Sequence, residues 1–321
     1  MSITKTALVA AFGAYYIPEG QNMDRLKSMI RQKSVTPSHA KPIIYDGEVY
    51  RSSNVIFQEI VQAFQKKFTP KGDLTFLPNE IKLHQIKIDL GLYPDDVNGS
   101  WLGFLGSIEE AERKNWPIVR YLVEKEIIPQ LHSDMETKAY FKGSYVLPTP
   151  GTPGTAAGSM DGIKKKLDAA LAETDVTKKA QAVTLSAAIT KANAFEMLEE
   201  FAENIDETLD GTPVTIYMSK KILKWYLQDK RNTHGQDINY KAEKLTIDFS
   251  DNVKMESLPS MSGSDYVWAT PDENFQYIRR KNGMSEPTIQ ELQREVFLML
   301  DWWEGIGFQY NPLVYVYKPA P

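Results

Sequence analysis

Cysteine is absent from the 321 residues. That removes disulfides, thiolate nucleophiles and every cysteine-based zinc site, and it fits a cytosolic origin. Histidine is scarce, at His39, His84, His132 and His234. None stands in a zinc-protease helix motif or its inverted form. His132 and Glu136, four apart, read as a surface pair on one helix face. A net charge of −5 supplies no global basic field to attract nucleic acid, and Lys164-Lys165-Lys166 reads as a solvated helix face. The apolar run from Ala7 to Ile17 is too short to span a bilayer. Interrupted by Tyr15 and Tyr16, it also makes a poor signal peptide, and reads as a segment that packs on something. Phosphate-loop, dinucleotide and nucleophile-elbow motifs are missing, since Gly99, Gly103 and Gly106 have the wrong spacing. The Asp95–Gly99 stretch lacks a calcium loop's bidentate glutamate, with Leu105 at that position. No cofactor or metal is therefore expected. An α/β enzyme with an unrecognised site is the alternative from another class, and it should bury Trp302 and Trp303 within one subunit.

What is present is patterned. Residues 1–45 hold no sustained period and two breaker clusters, Pro18–Asn22 and Thr36-Pro37-Ser38. They read as an extended arm with at most short helices. From Asn54, the four-residue recurrence of Ile56, Ile60, Phe64 and Phe68 predicts an amphipathic helix, stopped by Pro70–Asp73. Ile81–Leu83 and Gln85–Leu90 alternate polar and apolar as a half-buried strand, and Pro94–Gly99 reads as a turn. A long helix is expected over 108–141, with Ile118, Leu122, Val123 and Ile127 at helical spacing. Pro117 and Pro129 lie inside it. Each removes a backbone donor, which makes the two prolines the proposed bending positions.

Leu147–Thr155 carries three prolines and two glycines and reads as a linker at a domain boundary. Beyond it, Asp161 is placed to cap a helix bearing Ile163, Leu167 and Leu171. Leu198, Ala202, Ile205 and Leu209 stripe a second helix, ended by Gly211. Val214–Met218 is a strand, after which Ser219 caps a helix with Ile222, Leu223, Tyr226 and Leu227. Leu245, Ile247 and Phe249 alternate as another strand. Tyr266–Thr270 and Phe275–Arg280 flank a turn as a hairpin. Val296–Trp303 is almost wholly apolar, with Leu298, Leu300 and Trp302 on one face and Phe297, Met299 and Trp303 on the other. Both faces must be covered, by this chain or by neighbouring subunits. Leu313–Tyr317 is a final strand. The fold class is α+β.

In this order the features resemble the major capsid proteins of tailed bacteriophages, the Johnson-fold shell subunits. Five passages carry the likeness over about residues 45–317. Asp95–Leu105 leads toward a long helix at Glu109. Gly143, Gly151, Gly154 and Gly158 run into Asp161-Gly162-Ile163. Val214–Met218 precedes a capped helix. Leu258–Ser264 is followed by Val267–Pro271 and Asn274, and Gly305–Leu313 closes the chain.

The resemblance implies an N-terminal arm (1–45) and a peripheral domain (46–150) with an extended E-loop hairpin at about 69–93 and a spine helix at about 108–141. It also implies an α/β axial domain (160–290) and C-terminal strands (291–321) returning to the peripheral domain. Lys71, Ile81, Leu83, Ile86 and Ile88 are the residues expected to lie between subunits on the E-loop. The subunit would be a homo-oligomer of hexamers and pentamers, forming an icosahedral shell around double-stranded DNA without sequence-specific contact. It would be assembled in the host cytoplasm and end in the virion, with no membrane. The 45 to 60 residues before the hairpin are too few for a built-in scaffold, which implies a separate scaffolding protein and a portal. Of the lysines within reach of a covalent cross-link, Lys71, Lys82 and Lys87, the sequence selects none. An encapsulin-type shell enclosing cargo protein is the alternative within the same fold.

Overall fold

The structure, a computed structural model, describes residues 4–319 apart from 18–19, 33, 53–54, 58, 73, 77, 235–245, 248–251, 282–287 and 293–294. The chain starts with helices α1 (Lys5–Tyr15), α2 (Gln21–Gln32) and α3 (Val35–Ser38). The Thr4 side chain accepts from the Ala7 N–H and caps α1. Leu8, Phe12 and Tyr16 recur every four residues and are buried with Met23 and Leu26 in the main core. Five such side chains contribute roughly 10 kcal/mol of burial, enough to weigh against the cost of ordering the segment. The expected extended arm over 1–45 is thus corrected: it is mostly helical and docked on its own chain.

After β1 (Lys41–Ile44), β2 (Val49–Arg51) and β3 (Val55–Phe57) run out along a hairpin, and β4 (Leu74–Phe76) and β5 (Glu80–Lys82) return along it. The helix expected from Asn54 does not form. Ile56 lies in β3, and residues 59–72 are neither helix nor strand. The four-residue period there meets no core, because Phe64 and Phe68 remain 92% and 90% exposed. β6 (His84–Leu92) keeps the predicted alternation, with His84 and Ile86 inward and Gln85 and Lys87 outward. The turn expected at 94–99 is instead the start of α4 (Pro94–Ser107). Pro94 in its first turn forfeits no helical hydrogen bond, and Asp96 suits the positive helix end.

The expected helix over 108–141 is shorter. Residues 108–117 hold only a 3-10 turn, Arg113–Asn115, and the helical rod runs over 118–139. It joins α5 (Ile118–Tyr121), a wide turn Leu122–Ile127, α6 (Ile128–Asp134) and a second wide turn Met135–Ala139. In the wide turns the bonds skip five residues, as from the Ile128 N–H to the Val123 carbonyl and from Tyr140 to Met135. Pro117 is extended and precedes the rod as its N-cap, so it is no bend within a helix. Pro129 lies inside the rod, just past the first wide turn, which makes room for the ring where an α-turn would clash.

The Pro/Gly stretch is an exposed loop closed at its base, where the Ser144 N–H reaches Ala157 and the Gly162 N–H reaches Gly143. α7 (Ile163–Ala172) follows. Its N-cap is Gly162, because Asp161 accepts from the Tyr145 N–H instead. The chain continues through β7 (Gln181–Ala182), α8 (Ala194–Glu203), β8 (Val214–Met218), α9 (Lys220–His234), β9 (Val253–Ser257), β10 (Val267–Pro271), β11 (Phe275–Arg279), β12 (Thr288–Leu292), β13 (Glu295–Phe308) and β14 (Tyr315–Tyr317). α8 ends at Glu203 and not at Gly211. Most of the strand expected at Leu245–Phe249 lies outside the described residues, although Thr246 bridges Lys254.

Two five-stranded sheets result. In the first, β13 pairs with β6 along one edge and with β12 and β11 along the other, and β1 lies beyond β11. The second has the order β7-β14-β10-β8-β9. β10 and β11 are therefore not the expected hairpin: the turn between them carries the chain from one sheet to the other. The C-terminal strands also part company, because β13 centres the first sheet while β14 joins the second. One apolar cluster joins the first sheet to α1, α2 and the rod and also takes Tyr217, Trp268 and Val316 from one face of the second sheet, while the other cluster joins the opposite face of the second sheet to α8 and α9.

Candidate assembly surface

A polar clamp fixes where the hairpin leaves the body. Asn79 donates from its side-chain amide to the Phe308 carbonyl at 2.7 Å and to Asn311 Oδ1 at 2.8 Å. Ser52 Oγ donates to the Gln309 carbonyl at 2.9 Å, and the Ser52 N–H to the Asn79 carbonyl at 3.0 Å. Gly305 lets this foot approach, since a Cβ there would lie 2.6 Å from the Lys82 carbonyl. Val49–Arg51 pairs with Glu80–Lys82 on the body side of this foot, and beyond it, among the described residues, one short ladder follows, Val55–Phe57 with Leu74–Phe76. At the tip Lys71 Nζ donates to the Val61 carbonyl at 2.6 Å and pairs with Glu59 at 3.1 Å. Gln62 Nε2 donates to the Thr69 carbonyl at 2.7 Å. Ile60, Val61, Phe64 and Phe68 all stay in solvent. A two-stranded ribbon with its apolar residues in water is marginal unless something covers it.

The hairpin expected at 69–93 is thus shifted to 49–82. Of the residues assigned to it, Lys71 sits on the tip. Ile81 and Leu83 are buried beside Ile278, and Ile86 belongs to the main core. Ile88, opposite Leu300 in the sheet, is half-buried. These four isoleucine and leucine side chains serve the chain's own packing. The alternation at 81–90 is that of a core strand paired with β13.

Inside the body, a buried polar chain ties the N-terminal segment to the rod. His132 and Glu136 are both buried, not the surface pair expected. The His132 ring meets Ser34 Oγ at 3.1 Å and the Met29 carbonyl at 3.0 Å. Glu136 accepts from the Thr36 N–H at 3.1 Å and from the Thr36 hydroxyl, which in turn meets Ser260 Oγ at 2.7 Å. Tyr140 reaches Ser34. Glu304 on β13 accepts from the Tyr277 hydroxyl at 2.5 Å and lies beside the Trp302 side chain. Burial pushes the Glu304 carboxyl up to about 7. Burial, and then Glu304, hold the Tyr277 and Tyr140 hydroxyls well above their usual range. Sequence spacing hinted at this cluster only through the four-residue offset of His132 and Glu136.

Other chemistry is thin. Among the described residues no three metal-ligating side chains gather, and no helix is long and apolar enough to cross a membrane. His84 stacks on Tyr145 and faces Asp161 at 3.5 Å, yet burial lowers its pKa. A cleft lined by Gln181, Asn204, Asp206, Thr208 and Tyr315 has one carboxylate among its lining residues. Trp302 is buried within the chain. Trp303 is half-buried beneath Arg280, whose guanidinium lies 3.8 Å from its ring.

No protein-family model and no curated protein matches the sequence. Solved structures do. The satellite phage P4 procapsid including size determination (Sid) protein has a chain that is similar with a TM-score of 0.53 and 11% identity, over 92% of this chain and 98% of that one. The capsid of a native GTA particle gives a TM-score of 0.52 and 11% identity, over 91% and 98%. Gordonia phage Cozz gives 0.51 and 14%, over 90% and 87%. At these identities the likeness establishes a shared fold.

Proposed function

We propose that this chain is a structural subunit of a viral shell built from many copies of itself, and that the hairpin over 49–82 is laid on a neighbouring copy. The observation that carries this reading is the hairpin tip, where Phe64 and Phe68 are exposed beyond a rigidly clamped foot. Covering Ile60, Val61, Phe64 and Phe68 would release on the order of 8 kcal/mol. No described residue covers these side chains, and a head-to-tail contact repeated around a ring would. The shared fold with three chains from phage and GTA particles supports the same reading.

The finer picture follows from it. Copies close into rings of five and six around packaged double-stranded DNA, with a separate scaffolding protein and a portal in attendance. The peripheral part holds the first sheet, the hairpin and the rod, and the axial part holds the second sheet with α8 and α9. Pro129 with its wide turn is the bending point when the shell changes size. Serine in place of both Phe64 and Phe68 tests the core claim. Thermal stability of the unassembled chain should stay within about 0.5 kcal/mol of the parent, while electron microscopy should find no closed particles. Particles at parental yield would overturn the role given to the hairpin.

A further inference from the structure

The second sheet carries two helices of opposite charge side by side. Residues 194–211, covering α8 and the turn after it, hold seven acids and no base: Glu196, Glu199, Glu200, Glu203, Asp206, Glu207 and Asp210. α9 holds five bases, Lys220, Lys221, Lys224, Lys230 and Arg231, with one acid, Asp229. Asp229 is buried and accepts from the Phe195 N–H at 2.9 Å, so the outward side of α9 is uniformly positive. The Tyr226 hydroxyl donates to Glu199 at 3.0 Å and fixes the two helices together.

Part of this charge is used internally. Lys221 pairs with Asp265 at 2.5 Å, and Glu200 accepts from Ser186. Six others are free of such pairing: Lys220, Lys224 and Arg231 on one stripe, and Glu196, Glu203 and Glu207 on the other, are exposed and form no ion pair with a described residue. In a chain of net charge −5, such segregation is not an average surface.

We infer that these stripes form a charge-complementary contact between copies, the α9 stripe of one against the α8 stripe of the next. The inference rests on the shell reading and names the electrostatic part of its contacts. A nucleic acid is the other conceivable occupant of α9. A strand laid there would run beside the acidic stripe, which would repel its phosphates. In a ring the two neighbours of each copy meet one stripe each, so both stripes are satisfied. Exposed pairs of this kind steer and select partners more than they add affinity.

The test uses the full chain in two variants, one with Lys220→Glu, Lys224→Glu and Arg231→Glu, the other with Glu196→Lys, Glu203→Lys and Glu207→Lys. Pairwise association is read by fluorescence anisotropy and particle formation by electron microscopy, with circular dichroism confirming the fold. Each variant alone should self-associate roughly a hundredfold more weakly than the parent. Their equimolar mixture should associate and co-assemble, and lose this when salt rises from about 0.1 M to about 1 M. Failure of the variants to bind one another overturns the inference, whatever the particles do. Duplex DNA binding lost only in the α9 variant, without variant-to-variant binding, overturns it in favour of nucleic acid. A parent that forms no particles strikes at the shell reading, and the variant-to-variant titration still decides this contact.

Discussion

Replacing Glu304 by glutamine should stabilise the unassembled chain in a pH-dependent way. Glu304 is 3% exposed, with one oxygen on the Tyr277 hydroxyl. Burial raises its pKa from 4.5 to about 7. The sign follows from proton binding. Below the unfolded value both states hold the proton, and the group has no effect on stability. Between the two values the unfolded chain releases the proton while the folded chain keeps it, so folding weakens by about 1.4 kcal/mol per pH unit. Above the folded value the penalty is constant, at about 3 kcal/mol for an interval of this size. Glutamine cannot ionise and can still accept from Tyr277. The variant should therefore match the parent near the unfolded pKa and exceed it by about 3 kcal/mol once both forms of Glu304 would be ionised. Urea unfolding of unassembled protein across that range measures the difference. A stability gap that does not change with pH would refute the buried-carboxylate argument. So would a gap that shrinks as pH rises.

Two further predictions concern the rod. Gly162→Ala should destabilise the chain by about 3 kcal/mol or more, because a Cβ there would lie 2.6 Å from the Ala139 carbonyl and 2.8 Å from the Gly143 nitrogen. Thermal unfolding checks it, and a loss below about 1 kcal/mol would show that the loop base can yield. Pro129→Ala should stiffen the rod by restoring a backbone N–H, raising hydrogen-exchange protection over 122–131. Pro117→Ala, outside the rod, should leave it unchanged, and equal protection in both variants would remove Pro129 as a bending point.

Much of the fold was legible in period and composition. The alternation at 81–90, the buried run of β8, the two-sided apolar strand β13 and the Pro/Gly loop all stand where residue spacing put them. The errors share a cause. Ile56, Ile60, Phe64 and Phe68 carry a helix period, but a period selects a helix only where a core lies along one face, and Ile60, Phe64 and Phe68 project from the body. Leu8, Phe12 and Tyr16 carry the same period more faintly and do form a helix, because the rod supplies the face they need. Period alone could not rank the two.

By itself, then, the sequence determined the α+β class, the lack of recognisable catalytic and metal motifs, and the alternation that gives β13 its inward face. Tertiary structure decided the rest. It split β10 from β11 and β13 from β14 into different sheets, since strand pairing depends on partners far along the chain. It turned His132 and Glu136 from a presumed surface pair into buried anchors, because burial is set by what packs over a helix face. It also shifted the exposed hairpin to 49–82, because a segment is an arm only when the body offers it nowhere to fold back.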